Sequence, residues 1–131
     1  MAAGRNGTDA AGGAECAFRR YAGYGFHRRK LKVFEVYESI RGCTRSEDEA
    51  LDMIAVYDTL RLLKLSGRGE CAQAVSGVYF IAAGRRPRKN EITYRVRRLA
   101  YESNYDDRSV YRQLQRAKEV FYYLRRRSED I

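Results

Sequence analysis

No run of eighteen apolar residues occurs anywhere in the chain, so no segment has the length that a membrane-spanning helix requires. The opening stretch, MAAGRNGTDAAGGAE, lacks the apolar core of a secretory signal, which makes a cytoplasmic location and no membrane partner the expectation. Cysteine is sparse: Cys16, Cys43 and Cys71 are odd in number and too widely spaced for a Cys-x-x-Cys motif. Reduced thiols are expected, two or three of them buried. Histidine occurs once, at His27 beside Arg28 and Arg29, where a solvated surface residue is expected and not a zinc ligand. Neither a metal nor any other cofactor is implied. Few segments alternate with period two, and none does so between convincing turns, which argues against a sheet. The expected fold class is all-α, with five or six helices and no internal repeat.

What is abundant is positive charge. Of 131 residues, 26 are Lys or Arg and 17 are Asp or Glu, a net charge of +9. Residues 85–127 hold fourteen of the basic and five of the acidic residues, so this third of the chain carries the whole surplus. Excess confined to one segment is the footprint expected of a phosphate-backbone binder, because each neutralised phosphate releases counterions. Acidic membranes or partner proteins would also be attracted, so charge alone does not choose. A hydrophobic content of 44% suffices for one modest core. A second basic cluster, Arg19, Arg20, Arg28, Arg29, Lys30 and Lys32, is balanced by acids from Glu35 to Asp58, and an intramolecular or dimer charge match is expected there.

Along the chain, residues 1–15 hold four glycines and five alanines with almost nothing to bury, and read as a disordered tail. Residues 16–66 read as an N-terminal helical region for packing or oligomerisation, and residues 67–131 as a DNA-binding region. Gly23 and Gly25 interrupt an early helix, after which Leu31, Phe34 and Tyr37, three apart, predict a helix over about 28–41. Ser46 and Glu49 have capping-box spacing, and Gly67 stands where the helix of about 47–65 would stop. That helix has apolar residues on more than one side, including Met53, Val56, Tyr57, Leu60 and Leu63. Cover by a second copy or by RNA polymerase is expected. Helices over 70–82, from Asn90 to about Asn104, and from Asp106 to about Arg127 complete the chain, with Asn90 and Asp106 as caps and Gly84 and Pro87 in the basic connector GRRPRKN.

The last two helices have the spacing of a helix-turn-helix. Ala100 is small where two helices would cross, Asn104 tolerates a left-handed turn, and Val110 is an apolar anchor early in the second helix. Leu99 and Tyr105 are expected to close onto the core. Val110, Leu114, Ala117, Phe121 and Leu124 follow spacings of four, three, four and three, an inward stripe. On the opposite side lie Arg108, Arg112, Gln115 and Glu119, flanked by Ser109, Tyr111 and Arg116. Arginine pairs bidentately with guanine and glutamine with adenine, so this face has the chemistry for the major groove of double-stranded DNA. Arg88 and Lys89 in the connector are candidate phosphate contacts. Of the eleven tyrosines, Tyr79, Tyr94 and Tyr101 are assigned to core faces, leaving little for base stacking.

The run Val110-Tyr-Arg-Gln-Leu114-Gln-Arg116-Ala117, followed by Phe121, resembles the C-terminal promoter-reading helix-turn-helix of sigma-70-type factors, with Ser109 in place of threonine and Asn104 in place of the usual turn glycine. The wider stretch from Asn90 to Leu124 is similar to ArpU- and RinA-type phage regulators of late transcription. The resemblance covers about the last 60 residues and implies a transcriptional regulator, encoded by a phage or prophage, that meets RNA polymerase. Residues 16–65 hold no aromatic-rich promoter-melting domain, so unaided initiation is not implied. The DNA-recognition subunit of a phage packaging terminase and a helical protein-protein adaptor are the alternatives. No nucleophile, base and orienting group can be assembled, so enzymatic activity is not expected.

Overall fold

In the computed structural model, which describes residues 13–81 and 86–129, every regular element is helical. The helices are α1 (Gly13–Tyr24), α2 (Val33–Cys43), α3 (Glu47–Leu65), α4 (Gly69–Tyr79), α5 (Glu91–Ser103) and α6 (Asp107–Glu129), with a 3-10 turn over Phe26–Arg28. Their boundaries follow local chemistry. Gly25 ends α1 at φ 80°, a left-handed conformation that glycine adopts without a Cβ clash. Ser46 accepts the Glu49 N–H at 3.1 Å and opens α3. Gly67, at φ 81°, closes α3 as the Arg68 N–H donates back to the Leu63 carbonyl at 2.7 Å.

α3 is the central helix, with α1, α2, α4 and α6 all packed against it. Its apolar residues on several sides are covered from within: Met53, Val56 and Leu63 are buried, and Tyr57 and Leu60 are partly buried against the same core. The expected cover by a second copy or by polymerase is therefore not needed at these positions. The core runs from Phe18 of α1 to Phe121 of α6, whose rings meet edge to face at 5.8 Å, so the N-terminal and C-terminal halves share it.

Several expectations are corrected. The expected tail reaches Glu15, yet Gly13 and Ala14 are buried in α1 and Glu15 pairs with Lys118 at 2.8 Å; residues 1–12 lie outside the described residues. Of the three thiols only Cys71 is buried, because Cys16 and Cys43 sit on outward faces of α1 and α2. His27 is exposed as expected, but its ring rests on Phe80 at 4.7 Å, and partial burial lowers its pKa. The helix expected over 28–41 begins at Val33 and buries Val36 and Ile40; of the spacing-of-three row, Leu31 and Tyr37 are partly buried and Phe34 is 60% exposed. Asn90 stands at φ 63° and makes no side-chain cap; the Glu91 carboxylate instead accepts the Arg88 N–H at 2.9 Å.

The largest surprise is at the end of the inward stripe of α6. Leu124 is only half-buried, and Arg125 takes the buried place, 3% exposed. Its guanidinium donates to Asp52 at 2.8 Å, to Glu129 at 2.8 Å and to Asp48 at 3.3 Å, tying the last turns of α6 to the first turns of α3. Its five donors in a planar fork can serve several carboxylates at once. Removing one partner of a buried pair costs about 3 to 5 kcal/mol, and the lower end applies because Asp48 keeps its water. Arg125→Ala should therefore destabilise the chain by about 3 kcal/mol in denaturant unfolding. Arg125→Met with Asp52→Leu, which replaces the charges by apolar contact, should recover most of that loss. Unchanged unfolding of Arg125→Ala would contradict the assignment.

A second tie joins α1 to α3, where the Tyr24 hydroxyl donates to the Glu49 carboxylate. This hydrogen bond lowers the Glu49 pKa below the ordinary 4.5. A carboxylate depressed in the folded state contributes stability above its unfolded pKa and loses it as pH falls through the folded value. Stability measured below pH 4.5 should therefore fall more steeply in the native chain than in Tyr24→Phe. Parallel acid limbs would show that the contact adds nothing.

Candidate nucleic-acid interface

α5 and α6 are joined by a short turn whose backbone is closed at both ends. Asn104 adopts φ 61°, and the Tyr105 N–H donates to the Ala100 carbonyl at 2.9 Å, the pattern that ends a helix on a left-handed residue. Asp106 then caps α6: its Oδ1 accepts the Ser109 N–H at 2.8 Å, and this bond holds its carboxyl below the usual range. Asn104 and Asp106 act as their sequence positions suggested. Across the turn, Arg97 of α5 approaches Asp107 at 3.5 Å.

Ala100, 3% exposed, and Val96 bury the inner face of α5, while Val110, Leu114, Ala117 and Phe121 bury that of α6. Leu99 reaches α4 at Gly77, where a Cβ would stand 3.5 Å from its Cδ2. Tyr105 does not close onto the core as expected; it is 45% exposed, because the left-handed residue before it turns the chain outward.

With the inner stripe of α6 held by α3 and α4, its opposite face is left to solvent. Arg108, Tyr111, Arg112, Gln115 and Arg116 are all exposed there, with Ser109 half-buried at the margin. At about 100° per residue these six side chains cover one continuous arc over the first two and a half turns. Arg112 donates to the Ser109 hydroxyl at 3.3 Å. None of Arg108, Arg112 and Arg116 has a carboxylate within 4.0 Å among the described residues, whereas Arg95, Arg98 and Arg125 each do.

Arg88 and Lys89 are exposed but stand before the first turn of α5, about 20 Å of helix from the turn that starts α6. They belong to the start of α5 and not to the α6 arc. Sequence reasoning missed the outward row of α5 between them. Arg97 and Arg98 are exposed, and Tyr94 and Tyr101, assigned above to core faces, are 62% and 86% exposed. Only Tyr79 of those three tyrosines is buried. Positions 94, 97, 98 and 101 share one helix face, so the signal was present, masked by counting tyrosine as apolar. Among the described residues, no group of three or more His, Cys, Asp or Glu is placed to hold a metal ion, and no helix is long and apolar enough to cross a membrane.

The crossing at Ala100 gives a direct check on this geometry. Ala100→Leu should overpack the α5–α6 contact and destabilise the chain by about 1 to 3 kcal/mol in a thermal or denaturant melt. A melt identical to that of the native chain would mean that the crossing has room to spare. No protein-family model, no curated protein and no solved structure matches this chain.

Proposed function

We propose that this chain is a sequence-specific double-stranded DNA-binding protein that lays the outward face of α6 in the major groove. The observation that carries this reading is the row Arg108, Arg112 and Arg116, spaced one turn apart, exposed and without carboxylate partners. Like charges at that spacing repel by roughly 0.2 to 0.5 kcal/mol per pair. Phosphate oxygens and guanine N7 and O6 would turn the repulsion into charge-assisted hydrogen bonds.

Within the arc, Arg108, Arg112 and Gln115 have the central positions and the bidentate groups that distinguish bases. Arg116, Ser109 and Tyr111 flank them, where side chains meet sugar-phosphate. Arg88 and Lys89 at the start of α5 supply a further backbone contact. The transcriptional role comes from the resemblance to sigma-like modules. With it come RNA polymerase as the protein partner, self-association on paired sites, and a phage or prophage setting.

Each phosphate contacted contributes about 0.9 to the slope of log affinity against log salt, so binding to duplex DNA should weaken steeply and linearly as salt rises. Selection from a random duplex pool should return a consensus. Arg112→Ala or Gln115→Ala should relax it at one or two positions, at a loss of about 1 to 3 kcal/mol on the best site. Arg116→Ala should weaken all sequences alike. Absence of duplex binding even at low salt would overturn the proposal. DNA binding with no effect on transcription, together with assembly on an ATP-driven motor, would move it to the packaging branch.

A further inference from the structure

A cavity of about 1020 Å³ opens between α1, the corner joining α2 to α3, and the chain that enters α5. Four arginines from three separate stretches of sequence meet on its wall: Arg19 and Arg20 from α1, Arg45 from the corner, and Arg86. Tyr24, Ile81 and Pro87 give it an apolar side. None of the other helices needs this convergence for packing, since Arg20, Arg45 and Arg86 are exposed.

Three of these arginines form no close ion pair among the described residues. Arg19, Arg20 and Arg45 have no carboxylate within 4.0 Å among the described residues; Arg19 donates only to the Cys16 sulfur at 3.4 Å. The acid on the wall, Glu49, already accepts the Tyr24 hydroxyl and the Arg45 N–H. Asp52, which also lies in the field of Arg20, is engaged by Arg125. Glu49 lies in the field of Arg20 and Arg45, and Asp52 in that of Arg20, so the charge match expected from sequence acts here without an ion pair within 4.0 Å among the described residues.

We propose that this cavity is a phosphate-binding site, separate from the α6 face, for a ligand of nucleotide size. Guanidinium forks suit phosphate oxygens bidentately, and the Tyr24, Ile81 and Pro87 side offers a surface for the apolar face of a base. The volume is at the upper end of the roughly 300 to 1,000 Å³ common for small-molecule sites. Phosphate groups could reach it in a free nucleotide or in the backbone of bound nucleic acid; the chemistry recognised is the same.

The test uses the full chain and three probes: ATP, inorganic pyrophosphate and duplex DNA, titrated by calorimetry at fixed low salt. The variant is Arg20→Gln with Arg45→Gln, both exposed and checked for native melting; Arg45→Glu is a second variant that alters charge more strongly. Saturable 1:1 binding of ATP and pyrophosphate, weakened about tenfold or more in both variants while duplex binding is kept, supports the proposal with a free nucleotide as source. No small-anion binding, but a salt slope on duplex DNA reduced by about two units in Arg20→Gln with Arg45→Gln, supports it with backbone phosphate as source. Variants that match the native chain with all three probes overturn it. Arg112→Ala with Arg116→Ala separates the two surfaces: it should abolish duplex binding if the α6 proposal holds and leave ATP binding intact. Failure of one site can therefore be told from failure of the other.

Discussion

Burial of one stripe of α6 against α3 and α4 is the constraint on which the remaining structure depends. Val110, Leu114, Ala117 and Phe121 are each 2% exposed or less. A straight helix held along that line has no freedom to rotate, so its opposite face must be solvent-facing. Rotation by one position would bury Arg116 in one direction, or Gln115 and Lys118 in the other, and an unpaired buried charge costs several kcal/mol. The left-handed turn at Asn104 and the cap at Asp106 set where the helix begins, and Arg125 anchors where it ends. Both ends and one side are thereby fixed before any ligand arrives, the condition under which long side chains can present a defined pattern to a partner.

The periodic part of this arrangement was legible from the residues. A four-three-four repeat of apolar positions places Val110 to Phe121 on one line whatever they pack against, and Asn104 and Asp106 carry local backbone chemistry that needs no tertiary partner. Failures came where tertiary context decides. Arg125 could be recognised as buried only once Asp48 and Asp52 had been brought beside it from more than seventy residues away. Phe34 looked like part of a core row, but Val36 and Ile40 take the fully buried places and Leu31 only a partly buried one. Tyr94 and Tyr101 were misread for a different reason: a ring with a hydroxyl is stable on either side of a surface, so composition alone does not place it.

Charge shows the same division. The surplus of residues 85–127 is visible in a count, but its arrangement is not. Folding draws Arg125 inward and pairs Arg95 with Glu91 and Arg98 with Glu102, removing them from the field that a ligand would see. It leaves Arg108, Arg112 and Arg116 aligned, and it brings Arg19, Arg20, Arg45 and Arg86 from distant sequence to one cavity. The chain outside residues 85–127 holds twelve basic and twelve acidic residues, yet it contributes Arg19, Arg20 and Arg45 to one cavity wall, while the surplus of 85–127 is partly spent on structure.

The central claim is that the outward arc of α6 meets base edges in the major groove, and guanine N7 lies only in that groove. Dimethyl sulfate methylates this atom, so its protection in the complex reads the contact without reference to affinity. Complexes formed on a selected duplex should protect guanine N7 over a short run of about three to five base pairs, with protection at one guanine lost in Arg112→Ala. Full N7 reactivity throughout the bound site, in a complex shown to be saturated, would contradict it.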